Sequence, residues 1–395
     1  MGDEASSDEA NSDPAHARQA ARPNLATVAA LARVSASTAS LAFSGSGPIS
    51  AATRERVLAA AATLDYAGPD PRAQSLRRGR SGIVGVVIED RLSDAFRDPM
   101  NIAMLDGLAD ETGAIGSGLL LLTDAGGGQV SIENAPVDAV VLVGCGTRLD
   151  AAVAILRQRG IPLVAIEAEP MDGVLAIDLD NCAASHELAA HLKNLGHKRV
   201  AIVALPLNPS RARGPLTPEL EAASTGYTAS ARIAGVREVF PHATGWITAG
   251  SLTEEGRLAG LELLRGVEEL GGAEGLGGAE GLGGADGLGG ADGLRGADAR
   301  PTAIIAQSDL LARGVILAAE ELGLRIPEDV SVVGFDGVRL DGMGERDLTT
   351  MVQPAIEKGR AAGRGVVALL RDEPGEAMTF VSRFHRGNTT GPAPA

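Results

Sequence analysis

The chain is poor in the side chains that usually fill a core or staple a fold. Its 395 residues include one tryptophan, two tyrosines and six phenylalanines. Because 45% of the residues are apolar, the cores must be aliphatic. Two cysteines, Cys145 and Cys182, cannot make a disulfide framework and point to a reducing compartment. No apolar run approaches the roughly 18 residues that span a bilayer. Residues 1–22 are polar and acidic and lack the apolar segment of a secretory signal. A cytoplasmic protein without a membrane partner is expected. Lysine is scarce, three against 32 arginines, and with the abundant alanine and glycine this reads as the bias of a GC-rich genome. Six scattered histidines offer no metal-spaced cluster, and no paired Ser/His/Asp set appears. No catalytic residue, metal or cofactor is therefore assigned.

What is present is an uneven charge. The net charge is -16, yet residues 23–80 carry seven arginines against three acids. Arg72, Arg77, Arg78 and Arg80 stand within nine residues of one another. Such a chain should grip nucleic acid through one patch while the remainder opposes non-specific sticking.

The organisation follows the same division. Residues 1–22 read as a disordered acidic tail. Residues 23–65 read as three short helices, 66–80 as a hinge with a short helix over 72–78, and 81–390 as the body, with a tail at 391–395. From Gly82 the pattern alternates. The run IVGVVI suits a strand buried on both faces of a parallel sheet, followed by a helix near 99–112 and a strand at 118–122. Strands are expected at 138–143, 162–166, 199–204, 302–306, 330–334 and 378–383. Helices are expected at 150–159, 181–195, about 221–236, 253–265, 309–322 and 353–371. This repetition predicts doubly wound parallel sheets in two lobes around a cleft, with ligand sites at the carboxyl ends of strands. Within 266–300 the hexad LGGA[E/D]G occurs four times, which reads as a flexible Gly-rich insertion.

In the first helix Val28, Leu31 and Ala32 share a face. In the second, Ala39, Ala42 and Phe43 do so. A three-residue turn between two short helices is helix-turn-helix geometry. The second helix, capped by Ser35, would turn Ala36, Ser37, Thr38, Ser40, Leu41 and Ser44 towards base edges in the major groove. Ser50 and Thr53 open a third helix that bears Arg54 and Arg56.

These segments resemble one family. VAALARVSASTAS at 28–40, then SGSGPIS, TRERVLAAAATLDY and SLRRGRSG, are similar to the DNA-binding domain and hinge of the lac-repressor (LacI/GalR) family. IVGVVIED, LGHKRVAIV, RIAG, VSVVGFDG, LTTMVQP and RGNTT follow in the same order, so the resemblance spans about residues 24–390. It implies an N-terminal all-α helix-turn-helix domain and an α/β two-lobed body like periplasmic binding proteins. It implies a homodimer on a roughly palindromic DNA operator, switched by a small-molecule effector of the sugar kind. Leu76 would wedge into the minor groove, with Arg72, Arg77 and Arg78 on phosphates.

The chain also departs from the family. Arg33 stands where a turn glycine is usual and Thr27 where an acid is usual. Leu41 replaces an arginine that reads bases, and the linker has one extra residue near Gly68. For the effector site the resemblance points to Phe96, Glu167, Arg232, Trp246, Ser308, Asp309 and Asp336. Carboxylates there would accept from hydroxyls, Arg232 would donate in a fork, and Trp246 would stack. Phe96 falls at the family's Asn-Pro-Phe, here Asp94-Ala95-Phe96, and Ser308 replaces an asparagine. Two other readings compete. A transport-type binding protein would lack the basic segment. An oxidoreductase would need a phosphate loop, and GCG at 144–146 lacks the third glycine. His197 in LGHKR reads as fixing the turn before a strand.

Overall fold

The computed structural model describes residues 23–45, 47–70, 75, 79–88, 95–123, 131–144, 150–265 and 300–394. The acidic tail 1–22, the hexad repeat, hinge residues 71–74 and 76–78 and residues 145–149 lie outside them. The described residues form two compact units, divided between Ser81 and Gly82.

The first unit is three helices, α1 (Leu25–Ala32), α2 (Ala36–Ser44) and α3 (Ala51–Thr63). Each begins where a short polar side chain can satisfy a free amide. Asn24 and Thr27 form a reciprocal capping box, and Ser35 and Ser50 accept from Thr38 and Thr53. The axes of α1 and α2 differ by 102°, within the helix-turn-helix range. The core is small and aliphatic: Val28, Ala29, Ala32, Ala39, Ala42, Val57, Ala60 and Ala61. Phe43 and Tyr66 close it edge to face at 5.7 Å. Leu31 departs from expectation. It is 50% exposed, and Ala29 occupies the buried face instead.

The second unit holds two sheets. The first, in the N-lobe, has the order β12-β5-β4-β3-β1-β2 and is parallel throughout. Its strands are β1 (Ile83–Ile88), β2 (Gly118–Thr123), β3 (Ala139–Val143), β4 (Leu163–Ile166), β5 (Leu175–Leu179) and β12 (Met378–Phe380). Helices α4 (Pro99–Ala114), α5 (Asp150–Gln158) and α11 (Ala355–Leu370) cover it. The C-lobe sheet has the order β13-β11-β10-β9-β6-β8-β7. It comprises β6 (Val200–Ala204), β7 (Gly214–Pro215), β8 (Thr244–Ile247), β9 (Ala303–Ala306), β10 (Ser331–Asp336), β11 (Thr349–Val352) and β13 (Arg383–His385). Only its two edges, β7 and β13, are antiparallel. Its helices are α6 (Asn181–Asn194), α7 (Pro218–Ala222), α8 (Tyr227–Val239), α9 (Thr253–Leu264) and α10 (Asp309–Glu321).

The expected alternation appears with three differences. The helix expected over 221–236 is two, broken around Gly226. The strand expected over 378–383 is two, β12 and β13, one in each sheet. Strands β5, β7, β8 and β11 are additional. The chain therefore crosses between lobes three times: from β5 to α6, from β11 to α11 and from β12 to β13. No single helix among the described residues is long and apolar enough to cross a membrane.

The helices that cover the sheets touch backbone to backbone through glycine. A Cβ on Gly359 in α11 would lie 2.0 Å from the Met104 carbonyl of α4, and one on Gly107 2.1 Å from the Ile356 carbonyl. Gly359→Ala is expected to destabilise the protein by about 3 kcal/mol in urea denaturation, because the helices must separate. Gly113→Ala, in open space on the same α4, should be neutral or stabilising by up to about 1 kcal/mol.

Candidate effector cleft and DNA-reading surface

In the first unit the Ser35 hydroxyl accepts from the Thr38 amide at 3.1 Å and lies 2.8 Å from the Ser37 and Thr38 hydroxyls. Ser35, Ala36, Ser37 and Ser44 are exposed, and Thr38, Ser40 and Leu41 are half-buried. This surface offers hydroxyl and methyl groups and no fork of donors. Leu41 lies over the α2–α3 loop, where a Cβ on Gly47 would sit 2.9 Å from its methyl. Arg54 bends back towards the end of α2, with Nη2 3.0 Å from where a Gly45 Cβ would be. Its charge suits the negative end of that helix dipole. Arg72, Leu76, Arg77 and Arg78 lie outside the described residues.

In the second unit the carboxyl ends of both sheets face a cavity of about 920 Å³, the size of a small-molecule site. From the N-lobe come the apolar Ile88, Met100, Met104, Val143 and Ile166, with Asp98, Asn101 and Glu167 among them. The C-lobe wall adds the polar Asn208, Ser210, Arg211, Arg213 and Ser308 beside Leu205, Pro206 and Leu252. Asp98 caps α4 at the cavity edge through the Met100 amide, 2.9 Å away. Tyr227 donates to Asp178 at 2.7 Å, and burial with that bond pushes its phenol to about 12.

The cavity floor is built from buried charges joined in a closed ring. Lys358, fully buried on α11, donates to Glu167 and to Gln353 Oε1. Gln353 Nε2 donates to Asp336 Oδ1 at 2.7 Å. Arg232 Nη1 lies 3.8 Å from the same Oδ1. Arg232 Nε donates to Asn181 Oδ1 at 2.8 Å, and Asn181 Nδ2 donates to Glu167 Oε2 at 2.8 Å. Arg232 also donates to the Gln307 carbonyl and lies 3.7 Å from the centre of the Phe335 ring. Its Nη2 comes within 3.9 Å of Glu167. Of the six, Glu167, Arg232, Asp336 and Gln353 line the cavity. Lys358 and Asn181 stand behind it.

The two buried carboxylates shift in opposite directions, because their partners differ. Burial raises the Glu167 carboxyl, but the Lys358 ammonium, Arg232 and the bonds from Lys358 and Asn181 outweigh it, leaving it below the usual glutamate range. Burial drives Asp336 well above the usual aspartate range, with Arg232 opposing and Asp309 and Asp98 adding to the rise. Asp309 is pushed by burial to about 6.

The structure brings together four of the expected effector residues: Glu167, Arg232, Ser308 and Asp336. Ser308 caps α10 and meets the Ser251 hydroxyl at 2.9 Å. Three are elsewhere. Asp309 is fully buried behind the wall, accepting from Thr350 at 2.6 Å and the Val338 amide at 2.8 Å. Trp246 lies within β8, paired with Val203 and Pro215, and packs on the aliphatic core instead of lining the cavity. Phe96 is 56% exposed and outside the cavity wall. His197 is buried between Thr302 and the Gly391 carbonyl, as a turn-fixing residue would be. Among the described residues no group of three or more His, Cys, Asp or Glu could hold a metal ion.

Both units match known families. Residues 24–68 match the bacterial regulatory proteins of the lacI family. Residues 81–256 match the periplasmic binding proteins and sugar binding domain of the LacI family. Residues 189–384 match a periplasmic binding protein-like domain. An HTH-type transcriptional regulator of Mycolicibacterium smegmatis is 31% identical over 94% of this chain and 97% of its own. The chain belongs to the LacI family. The transcriptional repressor CytR of Escherichia coli K12 is 27% identical over 93% of this chain and 94% of its own. The lac repressor dimer bound to operator and an anti-inducer shares the fold, with a TM-score of 0.68 at 19% identity over 93% of this chain and 99% of that one. This LacI-family chain is thus a DNA-binding transcription regulator with an effector-binding body, and its relatives are regulators, not enzymes.

Lys358, Asn181 and Gln353 were not among the residues expected at the site. One signal existed for Lys358, a rare lysine at helical spacing between the small buried residues Ala355 and Ala362. Lys358→Met should cost about 3–5 kcal/mol in urea denaturation, because it strands the Glu167 charge. Adding Glu167→Gln should restore most of that loss. Asp336 and Asp309 hold protons more tightly folded than unfolded. The contribution of Asp309 to stability is complete below about pH 4 and lost as pH rises through about 6. That of Asp336 is likewise complete below about pH 4 and lost only well above the usual aspartate range. Asp309→Asn should therefore flatten the fall in melting temperature between about pH 4 and 6.

Proposed function

We propose that this protein is a homodimeric, cytoplasmic repressor whose affinity for a roughly palindromic operator changes when a neutral, polyhydroxylated metabolite enters the cleft. The observation that carries this reading is Arg232 flanked by Glu167 at 3.9 Å and Asp336 at 3.8 Å in the cavity wall. Two carboxyl groups can accept from neighbouring hydroxyls while a guanidinium donates to them, which is the polar pattern of a sugar or polyol. An anionic ligand would meet Glu167 and Asp98 beside Arg232; of the other guanidinium groups in the lining, Arg213 is already paired with Glu255 and Arg211 donates to the Ala249 carbonyl. Ser308 adds a hydroxyl at the same wall. The apolar N-lobe side chains Ile88, Met100, Met104 and Ile166 would cover the ligand's carbon face in place of an aromatic stack.

On DNA each subunit would present α2 to one half-site, with Ser35, Ala36, Ser37 and Ser40 nearest the bases. The hinge arginines would hold phosphates, and Leu76 would open the minor groove between them. A transport-type solute-binding protein is disfavoured by the match of residues 24–68 to the lacI family regulators.

The test is selection of genomic fragments by the full chain, followed by titration of neutral sugars and polyols against the recovered sites. At least one neutral polyol is expected to shift operator affinity ten-fold or more, at about 1.4 kcal/mol per decade. Arg232→Lys should bind the same fragments and lose that response. A response confined to phosphorylated or carboxylated ligands would contradict the reading.

A further inference from the structure

The turn between α1 and α2 carries a residue that its backbone does not favour. Arg33 sits at φ 57°, ψ 48°, the left-handed conformation, as the C-cap of α1. Its amide bonds to the Ala29 and Ala30 carbonyls, so the conformation is imposed by the cap. Glycine adopts this geometry without penalty, whereas an L side chain crowds the following carbonyl. The side chain is exposed. It makes no hydrogen bond or ion pair with any described residue, so no contact within the unit repays the strain.

The position is suggestive in its own right. In a helix-turn-helix, the first helix crosses the nucleic-acid backbone and the N-terminal end of the second meets base edges. The turn that joins them therefore passes the groove wall, where phosphates line up. Arg33 is two residues before Ser35, the cap of the base-facing helix. Around it the reading surface is hydroxyl and methyl, so Arg33 is the strongest phosphate-seeking group there. A guanidinium is charged at every working pH and matches a phosphate with two donors.

We propose that Arg33 is a phosphate-contacting residue supplied by the turn itself, a strained position kept for its contact with DNA. The inference rests on the DNA-binding reading of the family and adds a contact on this chain's own residue. Arg33 holds the backbone of the duplex beside the N-terminal end of α2. Removing it should relax the protein and loosen the complex, two effects of opposite sign.

The test uses the full chain and a short random-sequence duplex, titrated between about 50 and 200 mM salt. Hydrogen exchange across Leu25–Ser44 is measured on the free proteins. Arg33→Gly should raise amide protection about five-fold, as relief of a left-handed side chain would. It should weaken low-salt binding about ten-fold and reduce the slope of log affinity against log salt by about 0.9, the signature of one lost phosphate. Arg33→Lys, which keeps both charge and strain, should retain the wild-type slope and protection. Unchanged affinity and slope in Arg33→Gly would overturn the proposal, leaving a strained residue with no role on DNA. Loss of protection in Arg33→Gly would overturn it too, by making the residue structural. If the wild-type chain ignored the duplex at low salt, the DNA-binding reading would fall along with it, an outcome distinct from both.

Discussion

The lobes of this protein meet over six buried polar side chains that bond to one another, four of them at the cavity wall. Glu167, Lys358, Gln353, Asp336, Arg232 and Asn181 form a ring in which each neighbour supplies what the next lacks. Ions buried in this way are costly to desolvate and are tolerated only when paired and hydrogen-bonded. Two members also hold strained backbone, Glu167 at φ 49° and Asp336 at φ 130°. Residues held so cluster where a site must be shaped in advance of its ligand. Each of these two follows or ends a central strand, β4 in one lobe and β10 in the other.

Placement gives the ring its leverage. Asn181 begins the helix after the first crossing between lobes, and Gln353 and Lys358 flank the second. Arg232 and Asp336 belong to the C-lobe, Glu167 to the N-lobe. A ligand that bonds to Arg232 or Asp336 competes with interactions that tie the lobes to their crossings. Binding free energy can then be exchanged for a change in lobe relation, to the extent that the ligand favours one arrangement over the other. The DNA-reading unit is a compact unit of its own with a small, alanine-rich core.

Much of this was legible in the sequence, and the failures have physical causes. Strands such as IVGVVI were visible because both faces are buried, which makes an unbroken β-branched run. The caps Ser35 and Ser50 were visible because capping is a local bond. Strand β5, LAIDL, hid because Asp178 breaks its apolar run, and β8, TGWI, because it is short and holds a glycine. Arg232 and Asp336 were found through family phrases that carry them. Trp246 misled because a lone aromatic is conspicuous, yet it serves the aliphatic core. Lys358 and Glu167 are 191 positions apart, and no periodicity can report a pair that only the fold brings together. Leu31 shares a face with Val28 by spacing, but it is half exposed and the small core takes Ala29 instead.

By this arrangement the ring holds the two lobes in one relation. The direct measurement is a pulsed electron-spin distance between labels at Ala154→Cys on α5 and Glu262→Cys on α9, in a background free of native cysteines. The ring-intact protein should give one narrow distance distribution, and adding Arg232→Met should broaden or shift it. An identical narrow distribution with Arg232 removed would contradict the account.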